Sequence, residues 1–222
     1  MINIIDVGSS FPPQPRSLTI RENSSRPYNP LLMASPVAHS FAGFWTFLYF
    51  ASEAGLGVRM NWRRLAPPIV LLVFVANVAD LDFLLSLYYR GDLNTLHHGF
   101  THSILVAAGV SFAFAAIFPL PFASRFSRSS LIYLTAYGSH LLIDLVTANR
   151  LGWNPSGSGI PLFWPLQQEW RSPLALFIGV QHKNFGAIWG IENALSSLLE
   201  LLVCGGITAI LLLARSKYEQ NS

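Results

Sequence analysis

His39, Asp80-Leu81-Asp82, His97-His98-Gly99-Phe100-Thr101-His102 and His140-Leu141-Leu142-Ile143-Asp144 gather five of the six histidines and three of the five aspartates of the chain. Imidazole nitrogen and carboxylate oxygen together suit zinc or another borderline divalent ion. The single cysteine, Cys204, lies in an apolar run, so neither an intrachain disulfide nor a Cys-rich zinc site is available. Any metal has to be held by histidines and carboxylates.

Each cluster carries its own geometry. His140 and Asp144 are spaced i,i+4, which on a helix puts both side chains on one face a turn apart; the plain structural alternative is a His-Asp hydrogen bond joining helices. Asp80 and Asp82 are spaced i,i+2 and reach one site only if the helix ends or loosens there; otherwise one is a ligand and the other an orienting partner or a cap. In the loop His97 to Ser103, Gly99 permits a tight turn and Thr101 is the expected N-cap of the next helix, with His102 in its first turn. His39 precedes an aromatic run and reads as an interface histidine or a ligand, Glu192 as a further ligand or general base, and Glu200 as a partner for another helix. His182, in Gln-His-Lys-Asn, reads as a surface residue.

The elements that have to position these groups are apolar. Of 222 residues, 52% are hydrophobic and only 11% charged, outside the habit of soluble domains. A transmembrane helix needs about 20 mostly apolar residues, and five stretches qualify as expectations: Ala38 to Leu56, Pro67 to Tyr88, Ser103 to Phe122, Ser130 to Thr147 and Ala187 to Ala214. Backbone groups in lipid must be satisfied within the segment, so the expected fold is an all-α polytopic membrane bundle of about five transmembrane helices. Residues 1–32, rich in Pro, Ser, Arg and Asn, read as a disordered leader, with Met33 a natural alternative start; residues 33–222 read as the membrane-embedded domain. Residues 150–186 form a Trp- and Pro-rich loop expected near the interface.

With five spans, every polar cluster maps to one side of the bilayer. Charged side chains at bilayer depth cost about 2.5 to 3.5 kcal/mol each on insertion scales and tend to mark function. The other side carries Arg59, Arg63, Arg64, Arg125, Arg128, Arg215 and Lys217 in short segments, so the polar site is expected to face away from the cytoplasm. The net charge of +3 is spread over loops, which gives no basic patch for nucleic acid.

The pieces Ala38-His39-Ser40, Ala79-Asp80-Leu81-Asp82, His97 to Ser103, His140 to Asp144 and Pro161-Leu162-Phe163-Trp164-Pro165 together resemble the bacterial family of inner-membrane metal-dependent hydrolases, usually placed near zinc-dependent phospholipases C and single-strand nucleases. The resemblance runs from about Met33 to the C-terminus. Two positions depart from it: His98 stands where the family commonly has arginine, and Phe83 where a histidine often follows the second aspartate. The resemblance implies a divalent metal, zinc first, as one or more ions, and hydrolysis of an ester or phosphodiester, lipid included. It implies His39, Asp80, His97, His102, His140 and Asp144 as metal ligands, with Asp82 as ligand, base or orienter. The competing expectation is an ion or proton-coupled transporter, because intramembrane Asp and His also form ion pathways. Against it stand the one-sided cluster and the absence of an internal repeat with paired broken helices.

Overall fold

The computed structural model describes residues 32–56, 62–91, 97–153, 159–166, 168–181 and 189–221. The expected leader, residues 1–32, lies almost wholly outside them, as does His182. Six α-helices are described: α1 (Pro36–Glu53), α2 (Trp62–Asn77), α3 (Asp82–Arg90), α4 (Ile104–Ile117), α5 (Phe126–Leu145) and α6 (Ile191–Asn221). Short 3-10 turns, Val78–Leu81 and Phe100–His102, stand immediately before α3 and just before α4.

The site depends on how these helices start and stop. α1 begins where Ser35 accepts a hydrogen bond from Val37 N and Pro36 opens the first turn, both standard ways to satisfy a helix N-terminus. The second expected span is interrupted: α2 gives way to the 3-10 turn at Val78, and α3 restarts at Asp82. That break is the loosening that lets Asp80 and Asp82 face the same interior. α4 is capped by Ser103, whose Oγ accepts from Val106 N, and not by Thr101. The left-handed turn in the preceding loop falls on His98, at φ 57°, while Gly99 has φ −82°.

α1, α2, α4 and α5 pack around a core that includes Phe47, Leu72, Val75, Ile132, Tyr133 and Tyr137. α1 and α2 cross closely at Gly43, where a Cβ would come within 2.7 Å of Leu72 O and Val73 Cα. Only glycine admits this approach, which brings the His39 end of α1 against the end of α2 that leads to Asp80. Tyr137 Oη donates to Thr101 O at 2.7 Å, tying the histidine loop to α5.

Two helical stretches, Arg63–Arg90 and Ile191–Lys217, are long and apolar enough to cross a membrane. α4 is apolar but has 14 residues, rising about 21 Å against a core of about 30 Å. The all-α expectation holds for the bundle, whereas the stretch read as an irregular loop contains paired strands. β1 (Leu32–Met33) pairs antiparallel with β6 (Val180–Gln181), β2 (Thr147–Ala148) pairs parallel with β5 (Phe177–Ile178), and β3 (Gly152–Trp153) pairs antiparallel with β4 (Leu174–Ala175). Backbone donors in a loop held near α5 have to be satisfied, and these short ladders do it.

α6 leaves most of its apolar surface outward, including Leu195, Leu198, Leu202, Ile210 and Leu213. Polar clasps fix it to α1. The Glu200 carboxylate accepts from Ser35 N at 3.2 Å, Ala38 N at 3.2 Å and Ser35 Oγ. Trp45 Nε1 donates to Thr208 Oγ1 at 2.7 Å, and Arg215 donates to Leu48 O and Leu56 O near the C-terminal end of α1. An acid at the N-terminus and a base at the C-terminus both complement the dipole of α1. Replacing Glu200 by Ala strands two buried donors, Ser35 N and Ser35 Oγ, at about 1–3 kcal/mol per unsatisfied group, while Ala38 N keeps its bond to Ser35 O. We expect Glu200→Ala to melt several degrees below wild type in detergent, with Glu200→Gln recovering part of the loss; identical melting of Glu200→Ala and wild type would remove the clasp from the account.

Candidate metal centre

Four elements converge on the interior beside Ala76. α1 brings His39, the turn after α2 brings Asp80, the turn before α4 brings His102, and α5 brings His140 and Asp144 on one face. His39, His102, His140 and Asp144 are all 0% exposed, whereas Asp80, His97 and His98 keep 6–7%. Ligand atoms of Asp80, His102, His140 and Asp144 lie within 4.8 Å of one another.

Asp80 Oδ1 is 3.5 Å from His102 Nε2 and 3.4 Å from His140 Nε2. Asp144 Oδ2 is 3.4 Å from His102 Nε2 and 3.1 Å from His140 Nε2, and the two Nε2 atoms are 3.2 Å apart. These spacings match the edge of about 3.3 Å expected for a tetrahedron of N and O ligands about 2.0–2.1 Å from an ion.

Hydrogen bonds behind the imidazoles decide what they present in front. His140 Nδ1 lies 2.8 Å from Ala76 O, a pure acceptor, so Nδ1 carries the proton. His102 Nδ1 faces Asp82 Oδ2 at 3.4 Å and Thr101 Oγ1 at 3.1 Å, and the carboxylate again calls for a proton on Nδ1. In the neutral imidazole this leaves an Nε2 lone pair on each ring, pointing at two carboxylates. With both rings neutral, as a bound cation requires, four electron-pair donors meet, and both oxygens of Asp80 and of Asp144 are buried without an aligned hydrogen bond. A cation satisfies all four at once, so the residues present fit a divalent metal.

The same field acts on protons. Burial works against a charge on His102, but the Asp144, Asp80 and Asp82 carboxylates hold its imidazolium well above the ordinary range. His98 is pushed well below that range by burial and by His102 and His97. A buried neutral His98 beside the cluster is unlike the arginine expected at that position from the resemblance.

Asp82 stands behind the cluster. Its Oδ1 is 2.6 Å from His97 Nδ1 and its Oδ2 accepts from Thr101 Oγ1 at 2.7 Å. Of the three roles open to it, the geometry supports the orienter. His97 is tied to Asp82 and lies outside the group of four, its ring 5.5 Å from that of His102. His39 adjoins the group, with Nε2 3.4 Å from Asp144 Oδ1 and its ring stacked 3.8 Å from that of His140. Glu192 is exposed and accepts from Gln181 Nε2 at 3.3 Å, so the structure does not bring it to the cluster. Sequence reasoning missed Ala76 O, a backbone atom that no side-chain pattern reveals. It also missed Ser35, although Ser-Pro before an apolar run is a helix-start signal. The Pro161 to Pro165 segment packs over the histidine loop, with Ile104 N donating to Leu162 O at 3.0 Å and Trp164 against Phe100.

Asn at position 82 would keep the shape but turn an amide N–H toward one of the donors, His97 Nδ1 or Thr101 Oγ1. Loss of an orienting carboxylate typically weakens metal binding 10–100-fold. We expect that loss for Asp82→Asn in competition with a fluorescent chelator, with helix content unchanged; wild-type affinity would show that Asp82 does not act on the cluster.

A helical bundle with two bilayer-length apolar stretches and a buried His/Asp cluster able to hold a metal is the class that fold and site define. Residues 33–218 match the family model described as YdjM inner membrane protein, and the chain belongs to that family. The family and the two apolar helices make it a membrane protein. No curated protein and no solved structure matches the chain.

Proposed function

We propose that this chain is a membrane-bound metal-dependent hydrolase of an ester or phosphodiester, with a lipid as the substrate class nearest to hand. The observation that carries the reading is the convergence of His102 Nε2, His140 Nε2 and the hydrogen-bond-free oxygens of Asp80 and Asp144 on one buried point. These four residues would hold a divalent ion, zinc by ligand type. Such an ion supplies Lewis acidity toward a phosphoryl or carbonyl oxygen and a more acidic water. Asp82 keeps His97 and His102 in register through their Nδ1 atoms. Asp80, His97 and His98, the members with residual exposure, mark the side from which substrate and water reach the cluster.

The proposed setting is the inner membrane with about five passes. α1, α4 and α5 join the two longer stretches, and the cluster opens on the extracytoplasmic face. The arginines Arg63, Arg64, Arg125, Arg128 and Arg215 on the opposite side support that orientation.

Elemental analysis of detergent-purified protein, wild type beside His140→Ala, tests the site. Turnover of bis(p-nitrophenyl) phosphate and of phospholipid vesicles tests the chemistry. We expect bound transition metal in wild type, its loss in His140→Ala, and turnover that follows the metal. Metal-free wild type overturns the reading. Metal-driven flux in proteoliposomes without turnover of any ester replaces it with an ion carrier.

A further inference from the structure

The two aspartates at the centre each turn their oxygens in two directions. Asp80 Oδ1 and Asp144 Oδ2 face His102 and His140. The other pair faces His39: Asp144 Oδ1 is 3.4 Å from His39 Nε2, and Asp80 Oδ2 is 4.0 Å from it. An ion held by one oxygen of each carboxylate would leave the second pair buried and unsatisfied.

His39 does not resolve that deficit by itself. Both of its ring nitrogens are buried without a hydrogen-bond partner. A proton on Nε2 could serve only one of the two oxygens, neither of which it meets in hydrogen-bond geometry. Its orientation is nonetheless fixed, by the stack on His140 at 3.8 Å and 24° and by the Glu200 clasp that anchors the start of α1 one turn away.

We infer that the cluster holds two cations, with Asp80 and Asp144 bridging them and His39 as the terminal ligand of the second. The inference rests on the metal-site reading above and assigns residues to a second position. Bridging carboxylates satisfy all four aspartate oxygens and the His39 Nε2 lone pair together. Paired divalent ions about 3.5–4 Å apart suit displacement at an anionic phosphodiester, where both the entering and the departing oxygen need charge compensation. Of the two ester classes proposed above, the phosphodiester is the one whose charge a pair of cations compensates.

Full-length protein in detergent, stripped by chelation and reloaded with Mn²⁺, should bind two equivalents by elemental analysis and give an exchange-coupled paramagnetic resonance spectrum. His39→Ala and the closer isostere His39→Gln should each retain one equivalent and give the six-line spectrum of an isolated ion. One equivalent in wild type overturns the inference and leaves the single-ion site intact. Two equivalents retained by both variants, or loss of both ions from both, also overturn it. Wild type with no ion at all instead overturns the hydrolase reading beneath it. Because the wild-type stoichiometry decides on its own, a variant that fails to fold does not shelter the proposal.

Discussion

Asp144→Ala is expected to abolish metal binding, lowering affinity by on the order of a hundredfold or more, above the 10–100-fold typical of losing an orienting partner. Asp144 is fully buried, lies within 3.4 Å of imidazole nitrogens of His39, His102 and His140, and has neither oxygen engaged in an aligned hydrogen bond. Nothing but a cation or those imidazoles offsets its charge, so its removal deletes the group that draws the three histidines together. Asp144→Asn keeps the volume and separates charge from packing: it should fold as wild type does and lose metal nearly as completely. Equilibrium dialysis with ⁶⁵Zn²⁺ would read both variants. Wild-type zinc retention in Asp144→Asn would mean that the Asp144 carboxylate is no ligand and that the zinc is held elsewhere, and the assignment of this cluster as the metal centre would fail.

Chelation should destabilise the whole domain. Four electron-pair donors converge from α5 and from the turns that follow α2 and precede α4, so an ion among them joins parts of the chain far apart in sequence. Binding to the folded form alone stabilises by RT ln(1 + [L]/Kd), about 4 kcal/mol at a thousandfold excess over Kd. For a domain of this size each kcal/mol shifts melting by about 2–4 °C, so the expected drop on stripping is about 10 °C. Thermal unfolding followed by a thiol-reactive dye at the buried Cys204 reports it directly. Re-addition of zinc should restore the lost degrees in wild type and do nothing in Asp144→Asn. Melting that ignores both chelator and zinc would place no ion in the folded state.

The residues of the centre were legible before any fold was known. His140 and Asp144 need only a helix to share a face, and α5 supplies it, because i,i+4 spacing is set by 3.6 residues per turn. The hydrophobic runs likewise announced a helical membrane chain, since lipid leaves the backbone no other partner than itself. What spacing alone left open was how Asp80 and Asp82 divide their work. The 3-10 turn at Val78–Leu81 turns Asp80 into the cluster and leaves Asp82 behind it, against His97 and Thr101. That turn reflects packing against neighbouring elements, which no local pattern records.

Other assignments belonged to tertiary structure altogether. Thr101 is an acceptable cap by residue type, yet Ser103 caps α4 because Thr101 is engaged by Asp82. Glu200 pairs with α1 as its expected role of helix partner requires, binding Ser35 and Ala38, but that Glu192 stays exposed and away from the cluster was decided by the fold. Ala76 O orients His140 through a backbone atom common to every residue. The chain's chemistry and its helical, membrane-bound class were thus set by local spacing and composition. The role of each ligand was decided by distances between segments dozens of residues apart, which only the folded arrangement of α1, α2, α5 and the histidine loop brings into contact.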